Sequence, residues 1–113
     1  MAYLRKEDET IEIDHSLEKV WAALLGAIAK LKWRVMEIDE TKHCIKARTK
    51  GGFMSYPSIL IIETKEMNEK TVRCKVLVET PVTTITSIAD FGRTRERINL
   101  FFEALSKQLT NNK

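Results

Sequence analysis

The sequence contains few of the residues that bind metals or act as nucleophiles in covalent catalysis. It has two cysteines and two histidines in 113 residues, and no pair of them has the spacing of a metal site. Cys44 and Cys74 belong to no CxxC motif, so we expect two reduced thiols in strands. No Ser/His/Asp or Cys/His set is recognisable either. We therefore expect no metal, no cofactor and no enzymatic activity.

Linkers and long apolar runs are scarce too. Four glycines and two prolines leave no domain boundary, which predicts a single domain over residues 1–113 with an ordered core at roughly 10–109. The longest apolar runs, such as Ile59 to Ile62, are too short to cross a bilayer. Residues 1–9 become charged at once, without the apolar segment of a signal peptide. We expect a cytoplasmic protein that does not insert into membranes.

The sequence also lacks an excess of one charge. It has 19 basic and 16 acidic residues, a net charge of +3, and the two signs are interleaved along the chain. A dedicated nucleic-acid binder usually concentrates basic residues on one element, and only Arg93, Arg95 and Arg97 come near that here. Binding of DNA or RNA is therefore not expected.

Two segments have the apolar period of helices. The first begins after Ser16, placed as an N-cap, and ends near Lys32; the second is predicted from about Arg93 to Gln108. The apolar residues of the first helix recur at offsets of three and four: Leu17, Val20, Trp21, Leu24, Leu25, Ile28 and Leu31. Its other side carries small residues that either admit a second helix at close range or are simply good helix formers. These are Ala22, Ala23, Gly26 and Ala29.

The rest of the chain is predicted to form strands. The first, Thr10–Asp14, follows a charged lead-in. Four more strands are predicted at residues 33–38, 43–49, 58–67 and 71–80. Pro81 interrupts the last of them, and residues 82–88 are predicted to form a final extended piece. Residues 110–113 are predicted to form a frayed tail. The order β-α-β-β-β-β-α predicts an α+β fold, a single two-layer domain with two helices packed on one face of an antiparallel sheet.

The strand at residues 58–67 is apolar on both faces. Consecutive side chains in Ile59-Leu60-Ile61-Ile62 point to opposite faces, and Leu77 adds an apolar residue to the charged face of the next strand. With both helices on one face, the other face carries an apolar patch, for which we name Leu60, Ile62 and Leu77. Such a patch marks self-association or ligand contact, unless a curved sheet or the connector at residues 53–57 covers it.

Asp90-Phe91-Gly92 matches the magnesium-binding motif of protein kinases, but the glycine-rich loop and the His-Arg-Asp segment of kinases are missing. We interpret Asp90 as a structural cap and Gly92 as a turn residue at the start of the second helix. Arg93 and Arg95 follow, where backbone N–H groups of a helix start favour an anion. They form either an anion site or ion pairs with Glu96 and the carboxylates of neighbouring strands.

Two stretches resemble the DUF1499-type proteins and related small families with a D-x-G signature before the last helix. They are Lys50-Gly51-Gly52-Phe53 and, more strongly, Ser87-Ile88-Ala89-Asp90-Phe91-Gly92 followed by Arg97-Ile98. The family pattern usually has Asn two positions after the glycine, where this chain has Thr94. The resemblance implies a fold without established biochemistry, and it brings no catalytic residues.

A weaker resemblance is to the helix-grip (START or Bet v 1-like) lipid-binding proteins. Ile11-Glu12-Ile13-Asp14-His15-Ser16 leading into Val20-Trp21-Ala22-Ala23-Leu24 is similar to their opening strand and helix, and the long C-terminal helix is similar as well. The chain is too short for their full set of strands and lids. The resemblance implies a reduced version with a groove whose floor is the apolar second face.

These observations favour a non-enzymatic domain that forms a homodimer or docks a protein partner through the apolar face. The alternative is a reduced helix-grip binder of a small apolar or lipid-like ligand. A third hypothesis is an enzyme that uses an anion site at Arg93 and Arg95.

Overall fold

The computed structural model describes residues 3–49, 58–82 and 93–111. Within these ranges five strands and two helices follow one another in the order β-α-β-β-β-β-α, which confirms the predicted fold class. The elements are β1 (Tyr3–Ile13), α1 (Leu17–Leu31), β2 (Arg34–Asp39), β3 (Cys44–Arg48), β4 (Ile59–Asn68), β5 (Thr71–Val82) and α2 (Arg93–Asn111). Neither of the two helices in these ranges is long and apolar enough to cross a membrane.

The strands form one antiparallel sheet in the order β1-β5-β4-β3-β2, so the two strands that flank α1 in sequence lie at opposite edges. Alternate residues of the three central strands point to the face that the helices cover, which is called the inner face here. These residues are completely buried: Ile45, Ala47, Leu60, Ile62, Val72, Cys74, Val76 and Val78. The inner face is therefore the floor of the hydrophobic core.

The predicted charged lead-in is in fact part of β1. This strand pairs with β5 over all of its eleven residues, so the predicted start at Thr10 is wrong. Apolar alternation is missing there because the inner positions at this end of the strand hold Glu7 and Glu9, opposite Val78 and Val76. Backbone hydrogen bonds to β5 form irrespective of these charges.

Pro81 does not end β5. β4 begins at Ile59, opposite Glu79, so Pro81 pairs only with Leu4 of β1 among the residues described. A strand with a neighbour on one side alone tolerates a residue that has no N–H to donate. β5 therefore continues to Val82, and residues 83–88 of the predicted extended piece lie outside the described residues.

Ser16 caps α1 as predicted. Its backbone is extended (φ −66°, ψ 156°), and its Oγ accepts a hydrogen bond from the N–H of Lys19 at 3.3 Å. At the other end Lys32 adopts a left-handed conformation (φ 61°), and its N–H donates to the carbonyl of Ala29 at 3.1 Å. α1 thus ends where the sequence predicted.

The small residues of α1 divide between the two alternatives. A Cβ added to Gly26 would lie 2.6 Å from Oε1 of Gln108 in α2, so this position admits the second helix at close range. Ala23 is buried in the core. Ala22 and Ala29 are exposed and serve only as helix formers. α2 contributes Phe101 to the core, where its ring lies 6.4 Å from that of Trp33.

Candidate functional site

The three residues predicted to form the apolar second face do not share a face. Leu60 and Ile62 are completely buried on the inner face. Leu77 lies opposite Ile61 on the other face of the sheet, which is called the outer face here. Directly opposed residues of antiparallel strands point the same way, so Leu77 belongs with Ile61 and not with Leu60. The prediction of one surface formed by Leu60, Ile62 and Leu77 is therefore wrong.

The outer face is a mainly charged surface. Ile59, Ile61 and Leu77 are half-buried there, and ion pairs such as Lys6–Glu79 (3.8 Å) cross the same face. An apolar face as continuous as the sequence suggested is absent from the described part of the sheet.

Arg95 forms an ion pair with the first strand. Its Nη2 donates to Oε1 of Glu9 at 2.5 Å, with both side chains partly exposed. For Arg95, pairing with a carboxylate of a neighbouring strand is thus the observed alternative, and binding of an added anion stays a prediction. α2 begins at Arg93, but the side chain of Arg93 and the predicted cap residues Asp90 and Gly92 lie outside the described residues.

Arg97 reaches buried hydroxyl groups beneath the start of α2. Its guanidinium donates to Oγ of Ser58 and, at 3.5 Å, to Oγ1 of Thr80, and these two oxygens lie 2.5 Å apart. The N–H of Ser58 donates in turn to Oγ1 of Thr49 at 2.9 Å. The network joins the ends of the central strands to α2. The sequence did contain a signal for it, since Ser58 and Thr80 continue the inner-face alternation of their strands.

A groove of about 700 Å³ lies between β1 and the C-terminal half of α2. Its walls are apolar: Ile11 and Ile13 on the inner face of β1, and Phe102, Leu105 and Leu109 on α2. The alternation of β1 and the three-and-four spacing of α2 bring these side chains to one place. Ile11, Phe102 and Leu109 are only partly buried, so the groove offers apolar surface to a ligand.

The rim of the groove is polar. His15 lies between β1 and α1, Lys19 lies in the first turns of α1, and Ser106 and Thr110 lie near the end of α2. Glu12 adds a carboxylate, which is 3.4 Å from Nη2 of Arg73. The sequence-based prediction missed this site because it placed the groove on the outer face of the sheet. The signals were Ile11 and Ile13 in the first strand, and Phe102 and Leu109 in the stripe of the last helix.

The thiols are poorly placed for nucleophilic chemistry. Burial raises the pKa of Cys74 to about 12, and burial, followed by the nearby carboxylates of Glu63 and Asp39, raises the pKa of Cys44. Both cysteines are free. Because the thiolate is the reactive form, a raised pKa lowers reactivity. In the described ranges no group of three or more His, Cys, Asp or Glu side chains is placed to hold a metal ion.

The architecture is similar to that of several solved structures. Norcoclaurine synthase from Thalictrum flavum, in complex with dopamine and hydroxybenzaldehyde, matches with a TM-score of 0.71 at 12% identity, over 99% of this chain and 90% of that chain. TTHA0849 from Thermus thermophilus matches with a TM-score of 0.67 at 11% identity, over 96% and 99% of the two chains. The chain has the helix-grip fold. A third helix-grip structure, the Zhui aromatase/cyclase from Streptomyces sp. R1128, matches with a TM-score of 0.56 at 12% identity, over 96% and 90% of the chains.

At such identities a helix-grip likeness establishes the fold alone. No family model matches the chain, and no curated protein matches it in sequence. The helix-grip resemblance of the first strand and helix is thus supported, whereas the resemblance to the DUF1499-type proteins has no support.

Proposed function

We propose that the protein binds a small apolar ligand in the groove between β1 and α2, without transforming it. The observation that carries this proposal is the groove itself, with partly exposed apolar walls and a volume of about 700 Å³. Ligand sites in proteins are clefts of roughly 300–1,000 Å³ lined mainly by apolar side chains, with a few polar groups that orient the ligand. The β1–α2 groove has a volume in this range, apolar side chains in its walls and polar side chains at its rim.

The rim indicates the polar end of the ligand. Lys19 and His15 carry hydrogen-bond donors, and the hydroxyl of Ser106 donates or accepts. The hydroxyl of Thr110 donates to the carbonyl of Ser106 at 2.9 Å and has lone pairs left to accept. An apolar molecule with an acceptor or an anionic group at one end fits this arrangement. Glu12 is the acidic exception, and its carboxylate is turned to Arg73 on the outer face.

The comparisons support the proposal through the fold. One similar structure is a complex with dopamine and hydroxybenzaldehyde, so a protein of this architecture can hold small aromatic molecules. Ligand binding therefore replaces self-association through the second sheet face as the favoured function. The case for that face depended on Leu60 and Ile62, which belong to the core.

The proposal is tested by titrating the protein with 1-anilinonaphthalene-8-sulfonate and following dye fluorescence. Leu109→Gln, in the groove wall, is expected to raise the Kd about tenfold, because losing part of the roughly 1.5–3 kcal/mol of a leucine's burial corresponds to that factor. Met67→Gln is the matched control, since Met67 is exposed on β4 and does not line the groove. Its Kd is expected to equal that of the wild type.

Amide NMR spectra locate the bound dye. Mass spectrometry of the dye recovered from the protein tests for chemical change. We expect shifts at residues 11–13 and 102–109 and no product. Equal affinity of Leu109→Gln and Met67→Gln, with shifts elsewhere, would refute the groove as the site. A product that forms catalytically would refute the non-enzymatic part.

A further inference from the structure

β2 is an edge strand with exposed apolar side chains. Among the residues described it pairs with β3 alone, which leaves its other edge open. Val35, Met36 and Ile38 are 39%, 46% and 45% exposed, so half of this six-residue strand is apolar surface. An open edge offers unpaired N–H and C=O groups, and natural proteins usually protect such edges with charges or cover them.

A shift of register decides which side chains of β2 share a face. Pairing with β3 shifts between Val35 and Glu37, and Met36 is the extra residue. Val35 lies opposite Ala47 and Ile38 opposite Ile45, and both partners are buried inner-face residues. Val35 and Ile38 therefore both point to the inner side, although strict alternation would separate them.

The ends of β2 carry opposite charges on the outer side. Arg34 lies opposite Arg48, and Asp39 lies opposite Cys44, on the outer face of β3. From end to end the strand is Arg34, Val35, Met36, Glu37, Ile38 and Asp39. When it is reversed, the two residues at each end are complementary to the two at the other end, and Met36 lies opposite Glu37 at the centre.

We propose that two copies of the protein associate through β2, antiparallel about a twofold axis between Met36 and Glu37. In this register Arg34 lies opposite the second copy's Asp39 on the outer side, and Val35 lies opposite its Ile38 on the inner side. The twofold axis repeats each pairing, so both complementary pairs form twice. Opposite charges and apolar residues in direct opposition are the pairs that stabilise antiparallel strands.

Neighbouring registers lose this complementarity. A shift of one position places Arg34 opposite Ile38 and Val35 opposite Glu37, and the shift in the other direction places Val35 opposite Asp39. A mismatch of faces and charges of this kind is what fixes the register of paired strands. Stable interfaces bury roughly 1,200–2,000 Å², whereas this contact joins only two six-residue strands, so we expect a weak, concentration-dependent dimer.

Asp39 also stabilises the turn after β2, which affects the choice of variants at this position. Its Oδ1 accepts hydrogen bonds from the N–H groups of Thr41 and Lys42, both at 3.0 Å, and so holds the turn after β2. Asp39→Asn keeps an oxygen for this turn and removes the charge. It is the milder variant beside the reversal Asp39→Arg.

Sedimentation equilibrium up to millimolar concentration tests the dimer. The wild type is expected to dimerise, and Arg34→Asp and Asp39→Arg are each expected to be monomeric because like charges then face each other. An equimolar mixture of these two variants is expected to form a heterodimer, since each copy then supplies the charge that the other lacks. Asp39→Asn is expected to weaken the wild-type association severalfold.

Matched substitutions away from β2 provide the control. Ile38→Lys is expected to abolish the dimer, whereas Leu100→Lys, at a position on α2 that is 42% exposed, is expected to keep it. Circular dichroism confirms that the variants are folded. Independently of any variant, amide hydrogens of residues 34–39 in the wild type are expected to exchange more slowly at high concentration than at low concentration.

Three results would overturn the proposal: a wild type that stays monomeric throughout, a dimer that Leu100→Lys disrupts and Ile38→Lys does not, or a dimer without protection of residues 34–39. Failure of the two folded charge variants to associate when mixed would overturn the register. None of these results bears on dye binding in the β1–α2 groove.

Discussion

Glu9 and Arg95 are separated by 86 positions in the sequence, yet their side chains form an ion pair with 2.5 Å between Oε1 and Nη2. The pair joins an edge strand to the first turn of the last helix on the inner side of the sheet. It holds α2 at the end of the helix that lies away from the polar rim of the groove. The position of the groove's α2 wall thus depends in part on a contact between the two ends of the chain.

Removing this ion pair is expected to lower stability modestly. Both side chains are partly exposed, and exposed pairs typically contribute about 0.2–1 kcal/mol. A double-mutant cycle with Glu9→Gln and Arg95→Gln, measured by urea denaturation, is expected to give a coupling energy in that range that decreases at high salt. The Glu103–Lys107 pair, 3.3 Å apart and more exposed, is the control, and a coupling at Glu9–Arg95 below that of the control would contradict the prediction.

Leu60 and Leu77 are expected to differ strongly when truncated. Leu60 is completely buried, so Leu60→Ala is expected to cost about 2–5 kcal/mol of unfolding free energy through lost burial and a residual cavity. Leu77 is half-buried on the outer face, and Leu77→Ala is expected to cost less than about 1.5 kcal/mol, half or less of a full leucine burial. Chemical denaturation measures both. Equal costs would mean that the two residues share one environment, as the sequence-based prediction of a common face required.

The sequence predicted the elements whose apolar period is strong and local. Ser16 and the stripe from Leu17 to Leu31 located α1 because capping and helical burial act within a few residues of one another. The order of elements and the antiparallel sheet followed from the same patterns.

What the sequence could not reveal depends on pairing between distant segments. Glu7 and Glu9 sit at inner positions of β1 only because that strand pairs with β5, and nothing in their own neighbourhood shows it. The face of Leu77 is fixed by its register with Ile61, which the alternation within either strand leaves undetermined. The groove likewise lies between β1 and α2. The sequence shows the apolar residues of each element, but it does not show that the two elements lie side by side.

Gly26 is expected to tolerate alanine with a gain in stability. Alanine is favoured over glycine within a helix by about 1 kcal/mol. The new Cβ would meet the terminal oxygen of Gln108 at 2.6 Å, but that group is the end of a flexible side chain and can rotate away. We expect Gly26→Ala to raise the melting temperature slightly, and to raise it more in a Gln108→Ala background. A loss of stability in both backgrounds would show that helix backbone, rather than the Gln108 side chain, limits the approach.

Cys74 is expected to make the protein less stable at alkaline pH. Burial raises its pKa in the folded state to about 12 from the ordinary value of 9.0. Above pH 9 the unfolded chain therefore releases the thiol proton while the folded protein keeps it. Stability that is fully present below this pH is lost as the pH rises towards the folded-state pKa, at about 1.4 kcal/mol per pH unit.

The Cys74 effect is separated from other alkaline titrations by a variant that lacks the thiol. Between about pH 8 and pH 10 the wild type is expected to lose about 1.4 kcal/mol more unfolding free energy than Cys74→Ala, as measured by urea denaturation. Cys44→Ala is the control: Cys44 is only partly buried, so its removal is expected to change the pH dependence less. Parallel losses in the wild type and in Cys74→Ala would mean that water reaches the Cys74 thiol in the folded protein, and that the inner face beneath α1 and α2 is open at this position.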